Sequence, residues 1–246
     1  MKIVAIIEAR MTSSRLPGKV LMEVLSKPIL HYLISRLKRV RLLNEIVLAT
    51  TTNSTDDILV DFANKENIKN YRGSENDVMA RVFEAAESVD ADLIVEITGD
   101  CPIVDPNIVE QVIQTYINNN YDYVNNVNVR SYPDGMDVQV FSKNVLERSL
   151  KMTKEALDHE HVTLHIRNHP EIFSHLNLVA PKNLWWPDLG LTLDERSDFE
   201  LLKKIITHFS DNIYFDCYDV IKFLRDRDDL VSINQKVVRN CYYGPS

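Results

Sequence analysis

Three short apolar runs, each separated from the next by a helical pattern, constrain this chain more than any other feature. KIVAII at 2–7, EIVLAT at 45–50 and DLIVEI at 92–97 are rich in β-branched residues. They lack the polar alternation of a half-exposed strand, so both faces of each must be covered. Between them, residues 29–40 and 56–65 carry apolar side chains at helical spacing, and within 77–88 Val78, Val82, Ala85 and Ala86 share one helix face. A short strand or turn is expected near Tyr71. Strand, crossover helix and strand in repetition is the rhythm of an α/β fold, a doubly wound and mostly parallel sheet with helices on both faces.

Beyond residue 100 the rhythm loosens. TGDCPIVDP makes a polar turn, 107–118 a helix, and 121–127 and 137–141 short strands around SYPDGMD, a small hairpin-like insertion that would make the sheet mixed. Helices are expected at 143–157, 160–168, 197–209 and 218–225, with a strand in LNLVAP at 176–181. No internal repeat or low-complexity linker marks a boundary, so a single domain over 1–246 is expected. With 246 residues and 45% hydrophobic content, the chain can bury a continuous core.

Net charge is −8 and the lysines and arginines are dispersed, which argues against nucleic acid as a partner. The apolar run at the N-terminus is too short for a signal peptide and none approaches a membrane span, so no membrane partner and a cytoplasmic location are expected. Cys101, Cys217 and Cys241 show no CxxC spacing, so neither a disulfide framework nor structural zinc is expected. Cys101 reads as a small filling residue, because no histidine stands near it in sequence to activate a thiolate.

The chemistry concentrates in Glu8-Ala-Arg-Met-Thr-Ser-Ser-Arg-Leu-Pro-Gly-Lys19, directly after the first strand. A loop leaving the carboxyl end of a central strand can aim backbone N–H groups at phosphate oxygens. Ser13 and Ser14 add hydroxyls, Arg10, Arg15 and Lys19 add positive charge, and Gly18 keeps the backbone low. The pattern is neither GxGxxG nor a Walker loop, which weakens dinucleotide binding and ordinary ATPase chemistry. The bland alternative is a solvated basic loop. A second polar cluster, Thr98-Gly-Asp-Cys-Pro102, ends the third strand, where Asp100 suits a magnesium carboxylate that needs one distant acidic partner; otherwise it is a turn-former.

The stretch ARMTSSRLPGKVL resembles the signature of the cytidylyltransferases that include CMP-Kdo synthetase and CMP-acylneuraminate synthetase, most closely their spore coat polysaccharide biosynthesis protein F branch. The likeness continues through ATTTN at 49–53, RGSENDVMAR at 72–81, ITGDCPIVDP at 97–106, YPDGMDVQVF at 132–141, EHVTLHIRN at 160–168 and LTLDERSDFELL at 191–202. It implies a Rossmann-like sheet of the nucleotide-diphospho-sugar transferase type, with a nucleotide-binding half at 1–105 and an acceptor-binding and dimerisation half at 106–246. It also implies that Asp194 returns to share Mg²⁺ with Asp100, although a helix-capping role is the simpler reading of Asp194.

By the same resemblance Ala9, Met11, Thr51, Thr98 and Gly99 join the loop in holding CTP, while Arg72, Ser74, Asp77 and Arg81 contribute to base and ribose recognition. Asp77 could instead cap its helix and Arg81 pair across a turn. Tyr132, Asp134, Gly135 and Asp137 face the acceptor, where carboxylates accept from sugar hydroxyls. Glu160 and His161 suit acceptor binding or a dimer contact better than zinc, since His159 and His161 lie two positions apart, not four. A homodimer built through 132–168 is implied as well.

The expected activity is transfer of CMP from CTP to an acidic sugar with loss of pyrophosphate. A sugar phosphate, alcohol phosphate or phosphonate acceptor, or a non-catalytic nucleotide-sugar binding protein, are the alternatives. One departure is Glu8, where this branch usually carries Gln: a carboxylate beside a triphosphate repels it unless it faces away or pairs with Arg10 or Lys19.

Overall fold

The structure is a computed structural model that describes residues 1–212 and 214–239; Cys241 lies outside the described residues. The strands are β1 (Ile3–Glu8), β2 (Glu23–Val24), β3 (Lys27–Pro28), β4 (Glu45–Thr51), β5 (Lys69–Gly73), β6 (Leu93–Thr98), β7 (Tyr123–Asn125), β8 (Gln139–Ser142) and β9 (His175–Asn177). The helices are α1 (Ile29–Leu37), α2 (Asp57–Lys65), α3 (Val78–Glu87), α4 (Pro106–Asn118), α5 (Lys143–Met152), α6 (Ala156–Glu160), α7 (Leu164–Asn168), α8 (Arg196–His208), α9 (Cys217–Leu224) and α10 (Asp228–Val231).

Seven strands form one sheet in the order β5-β4-β1-β6-β8-β7-β9, to which both halves of the chain contribute. Only β8 runs against its neighbours β6 and β7; the other pairings are parallel. Winding proceeds from β1 outward through β4 to β5, then reverses through α3 to β6 on the other side of β1. The carboxyl ends of β1 and β6 therefore flank a topological switch point, where α/β sheets open a crevice for ligands.

The apolar runs alternate between two cores, as strands covered on both faces require. Ile3, Ala5 and Ile7 of β1 pack with α1, α2, α4, α8 and α9, whereas Val4 and Ile6 pack with α3, α5 and α7. The expected hairpin is present as β7 and β8, but β8 pairs with β6 and so belongs to the sheet itself. Among the described residues no helix is long and apolar enough to cross a membrane.

Two expected helices change shape. The one expected over 143–157 ends at Met152, where Thr153 adopts an extended backbone. The one expected over 160–168 begins only at Leu164 as α7, parted from the preceding short helix α6 by a bend with Val162 at φ 36°. A β-branched residue in the left-handed region is strained, and here the bend sits between His161 and Thr163.

Gly135 has φ +104°, and a Cβ there would stand 2.7 Å from the Leu191 carbonyl carbon. It lets the turn dock on the 189–191 segment, where Asp134 N–H donates to Leu189 O at 2.9 Å and Leu191 N–H to Asp134 O at 2.7 Å. Gly135→Ala should cost about 3 kcal/mol from backbone strain and the clash together. Urea unfolding reads this as a lower midpoint; an unchanged midpoint contradicts the docking argument.

Candidate active site

A cleft of about 540 Å³ opens at the switch point, lined by Glu8, Ala9, Arg10, Ser13, Ser14, Arg15, Lys19, Val20, Val78, Arg81, Thr98, Gly99, Asp100, Glu160, His161 and Asp194. The sheet ends approach closely here because residue 99 is glycine: a Cβ would lie 2.6 Å from Glu8 O, to which the Gly99 N–H donates at 2.9 Å. The loop after β1 is closed by a Gly18 N–H donating to Met11 O at 2.9 Å, with Gly18 left-handed at φ 72°. This closure sets Lys19 at the start of a short 3-10 turn facing β6.

Lys19 joins the two aspartates. Its Nζ donates to Asp100 Oδ2 at 2.9 Å and to Asp194 Oδ1 at 3.1 Å, and Arg15 Nη2 reaches the same Asp194 oxygen at 2.7 Å. Asp194 is carried in by a backbone bond from Leu193 N–H to Asp100 O at 2.8 Å. Burial works against charge on Lys19, yet the two aspartates lift its pKa above the usual lysine value. Burial likewise opposes ionisation of Asp100, but Lys19 and the Thr98 hydroxyl hold its carboxyl below the ordinary range. The cluster is thus ionic, and two carboxylates converge on one cation position.

That donor set fits magnesium, which commonly takes one or two protein carboxylates and completes its shell with water and substrate phosphate oxygens. Asp100 and Asp194 are the residues that would hold it. Among the described residues no group of three or more His, Cys, Asp or Glu side chains could hold a metal ion.

Glu8 resolves differently from either expectation. It is half-buried in the cleft wall against Glu96, while Arg10 pairs with Glu75 at 3.3 Å and Lys19 with the aspartates. Burial and the neighbouring Glu8 carboxylate push Glu96 well above the usual range, and burial raises Glu8 as well. Gln139 Nε2 donates to Glu96, and Thr163 Oγ1 donates to Gln139 Oε1 at 2.6 Å. Cys101 is buried beside Asp100 with its thiol pKa pushed far up, which leaves it no thiolate to attack with.

Several expected ligand contacts are committed elsewhere. Met11 N–H donates to Asp56 Oδ1 at 2.8 Å, and Thr51 directs both its N–H and its hydroxyl to Asp56 Oδ2 at 3.2 and 2.6 Å. Arg72 binds Thr51 O, Asn53 O and Asp57, at 2.9, 2.8 and 2.6 Å, and so closes the loop after β4. Ser74 Oγ accepts from the Asp77 N–H at 3.1 Å. Asp77 caps α3 by accepting from Ala80 N–H at 2.8 Å and pairs with His159 at 2.9 Å. These are structural fastenings around the cleft rather than its lining.

Arg81 does line the cleft; it donates to Ser74 O, and its Nε has no partner. Tyr132 is 1% exposed and packs in the core, so it does not face an acceptor. Asp134 and Asp137 are both held by Arg130, at 3.3 and 2.7 Å, beside the cleft rather than in it. Burial and Asp137 raise the Asp134 pKa to about 7.

Residues that sequence reasoning did not single out also shape the site. Glu75 anchors the loop tip by accepting from Thr12 Oγ1 at 2.5 Å and Asn53 Nδ2 at 2.6 Å. Asp56 fixes the loop base, as above. Asp198 is a capping-box partner of Glu195, so the cap of α8 is Glu195 and not Asp194. The Glu195-x-x-Asp198 spacing was the readable signal for that cap.

The family model described as cytidylyltransferase matches residues 4–219. A spore coat polysaccharide biosynthesis protein SpsF of Bacillus subtilis (strain 168) is 36% identical over 82% of this chain and 85% of its own length. A 3-deoxy-manno-octulosonate cytidylyltransferase of Geobacter metallireducens is 32% identical over 46% of this chain and 44% of its own. Among solved structures, a cytidylyltransferase from Leptospira borgpetersenii serovar Hardjo-bovis superposes with TM-score 0.91 at 29% identity, covering 97% of this chain and all (100%) of that one. A CMP:2-keto-3-deoxy-manno-octonic acid synthetase complexed with CTP shares the fold, with TM-score 0.64 at 19% identity over 85% of this chain and 99% of that one. The family match over residues 4–219 and the 36% identity to the spore coat relative place the chain in the cytidylyltransferase family, as a nucleotidyltransferase.

Proposed function

We propose that the chain transfers CMP from CTP to an acidic sugar of the 3-deoxy-2-ulosonic or nonulosonic type, releasing pyrophosphate, in surface polysaccharide or glycan biosynthesis. The observation that carries this reading is the meeting of Asp100 and Asp194 at Lys19, inside a cleft whose other wall is the serine- and arginine-bearing loop. The 3-deoxy-manno-octulosonate in one relative's name supports the acceptor class, and the spore coat polysaccharide in another's supports the pathway.

Bound Mg²⁺ would neutralise charge on the phosphates and polarise the α-phosphorus. This chain's own part is alignment and electrostatic stabilisation. Arg10, Arg15 and Lys19 exchange carboxylate partners for triphosphate oxygens, and Ser13 and Ser14 donate hydroxyls from the same loop. An acceptor hydroxyl oxygen, presented from the Glu160 and His161 side, attacks the α-phosphorus in line. The new O–P bond forms as the bond to pyrophosphate breaks, and the hydroxyl proton is released. No covalent protein intermediate is needed.

Exposed Met152 and Leu157 lie on the 132–168 segment implicated in pairing and support a homodimer. A cytoplasmic location suits soluble nucleotide and sugar substrates. The test is pyrophosphate release from each of the four nucleoside triphosphates against a panel of 3-deoxy-2-ulosonic acids, N-acetylneuraminate and sugar phosphates. The expected result is turnover with CTP and a sugar acid. Turnover only with sugar phosphates, or none with any pair, contradicts the reading.

A further inference from the structure

Asp194 is fastened from behind. Its backbone N–H donates to Asp198 Oδ2 at 3.0 Å, and the Glu195 N–H donates to the same oxygen at 2.8 Å. A capping box uses the Glu195 bond; it does not require the Asp194 one. The other Asp198 oxygen is engaged by the far end of the described chain: Oδ1 accepts from Asn234 Nδ2 at 2.8 Å and Arg239 Nη2 at 2.5 Å. Asp198 itself is 0% exposed, a buried carboxylate whose paired cation is Arg239.

Arg239 occupies a slot built for it. A Cβ on Gly190 would stand 2.0 Å from Arg239 Cζ, so only glycine leaves room for the guanidinium. Asn234 Nδ2 also donates to Gly190 O at 2.9 Å. From the slot, Arg239 Nε reaches Asp134 Oδ2 at 3.4 Å and donates to Thr192 Oγ1 at 3.4 Å; that hydroxyl in turn donates to Asp194 Oδ2 at 3.4 Å. On the cleft side, Arg15 Nη1 donates to Val238 O at 3.4 Å while its Nη2 holds Asp194. Residues 234–239 thus touch Asp194's surroundings from both sides, and they lie beyond the 4–219 stretch that the family model matches.

We propose that residues 234–239 form a positioning strap that sets the Asp194 carboxylate through Asp198, so that Arg239 and its slot at Gly190 determine how well Asp100 and Asp194 act together on a divalent cation. The proposal rests on the reading of those two aspartates as the magnesium pair. A carboxylate that ligates a cation is oriented by its own hydrogen-bonded surroundings, and loss of such a partner typically weakens metal affinity about 10- to 100-fold. Arg239→Ala removes the guanidinium from Asp198. Gly190→Ala expels it without altering Arg239, Asp198 or any cleft residue, because the far end of a flexible side chain is what the new methyl meets.

The experiment is calorimetric titration of CTP into the full chain with and without Mg²⁺, alongside circular dichroism melting. In the wild type, Mg²⁺ should tighten CTP binding. In both variants that gain should fall about 10-fold, metal-free CTP affinity should stay within about 2-fold, and Arg239→Lys should recover part of the gain. A Mg²⁺ gain equal to wild type in the variants overturns the strap, as does a parallel loss of metal-free binding, which marks a merely structural role. Should either alanine variant not fold, Arg239→Lys decides between the same outcomes. A wild type whose CTP binding ignores Mg²⁺ sinks the magnesium reading instead, so the two failures are distinguishable.

Discussion

Asp100→Ala lowers the rate of pyrophosphate release by about 1,000-fold or more, roughly 4 kcal/mol of transition-state stabilisation, and leaves the fold in place. The side chain is 23% exposed and makes its contacts with Lys19 and Thr98 rather than with the core, so alanine opens no hydrophobic void. What it removes is one of the two carboxylates that converge on Lys19, a group that under the proposed function would hold the divalent cation. Kinetics at saturating CTP and acceptor, with far-UV circular dichroism as the control for folding, test this. A rate near wild type in a folded variant removes Asp100 from the mechanism.

Lys19→Met is the second large effect, about 100-fold in kcat/KM for CTP. The ammonium has two duties that methionine cannot perform. It separates the Asp100 and Asp194 carboxylates, each about 3 Å from Nζ, and it supplies a positive charge that contacts both of them inside the cleft. Without it the two carboxylates repel each other and incoming phosphate, so KM for CTP should rise as kcat falls. Arg15 shares Asp194 but leaves Asp100 to Lys19, and it should not compensate. A folded Lys19→Met enzyme with unchanged KM for CTP contradicts the triphosphate role of the loop.

The parts of the molecule read from sequence were those whose physics is local. β1, β4 and β6 announced themselves because a strand covered on both faces is a continuous apolar run. Their alternation with α1, α2 and α3 then dictated the switch point, and so the place of the loop. The β2–β3 hairpin gave no such signal: its turn uses Leu25 at φ 50° and Ser26 at φ 59°, where sequence rules look for Asn or Gly. The break at Val162 was equally hidden, since a strained β-branched residue is chosen by tertiary packing against local preference.

The site divides along the same line. Arg10, Arg15, Lys19 and Asp100 were legible because the loop and the strand end each cluster polar groups within a few residues. Asp194 is 175 positions from Lys19, and no local spacing ties them; only family resemblance pointed there. The expected ligand contacts that the structure finds bracing the loops, Thr51, Arg72 and Asp77, share a cause. A polar motif beside a cleft holds both the groups that touch a ligand and those that brace the loop, and sequence does not say which is which. Asp56 and Glu75, which brace, were overlooked for that reason. Arg239 and Asn234 gave no sign at all, because their partner Asp198 is visible only as a helix cap until the chain end folds back over it.

A crystal structure of the chain with CTP and Mg²⁺ tests the central claim most directly. The expected result is a triphosphate against Ser13, Ser14, Arg15 and Lys19, with Mg²⁺ held by Asp100 and Asp194. A triphosphate bound away from this loop, or an ion that neither aspartate ligates, contradicts it.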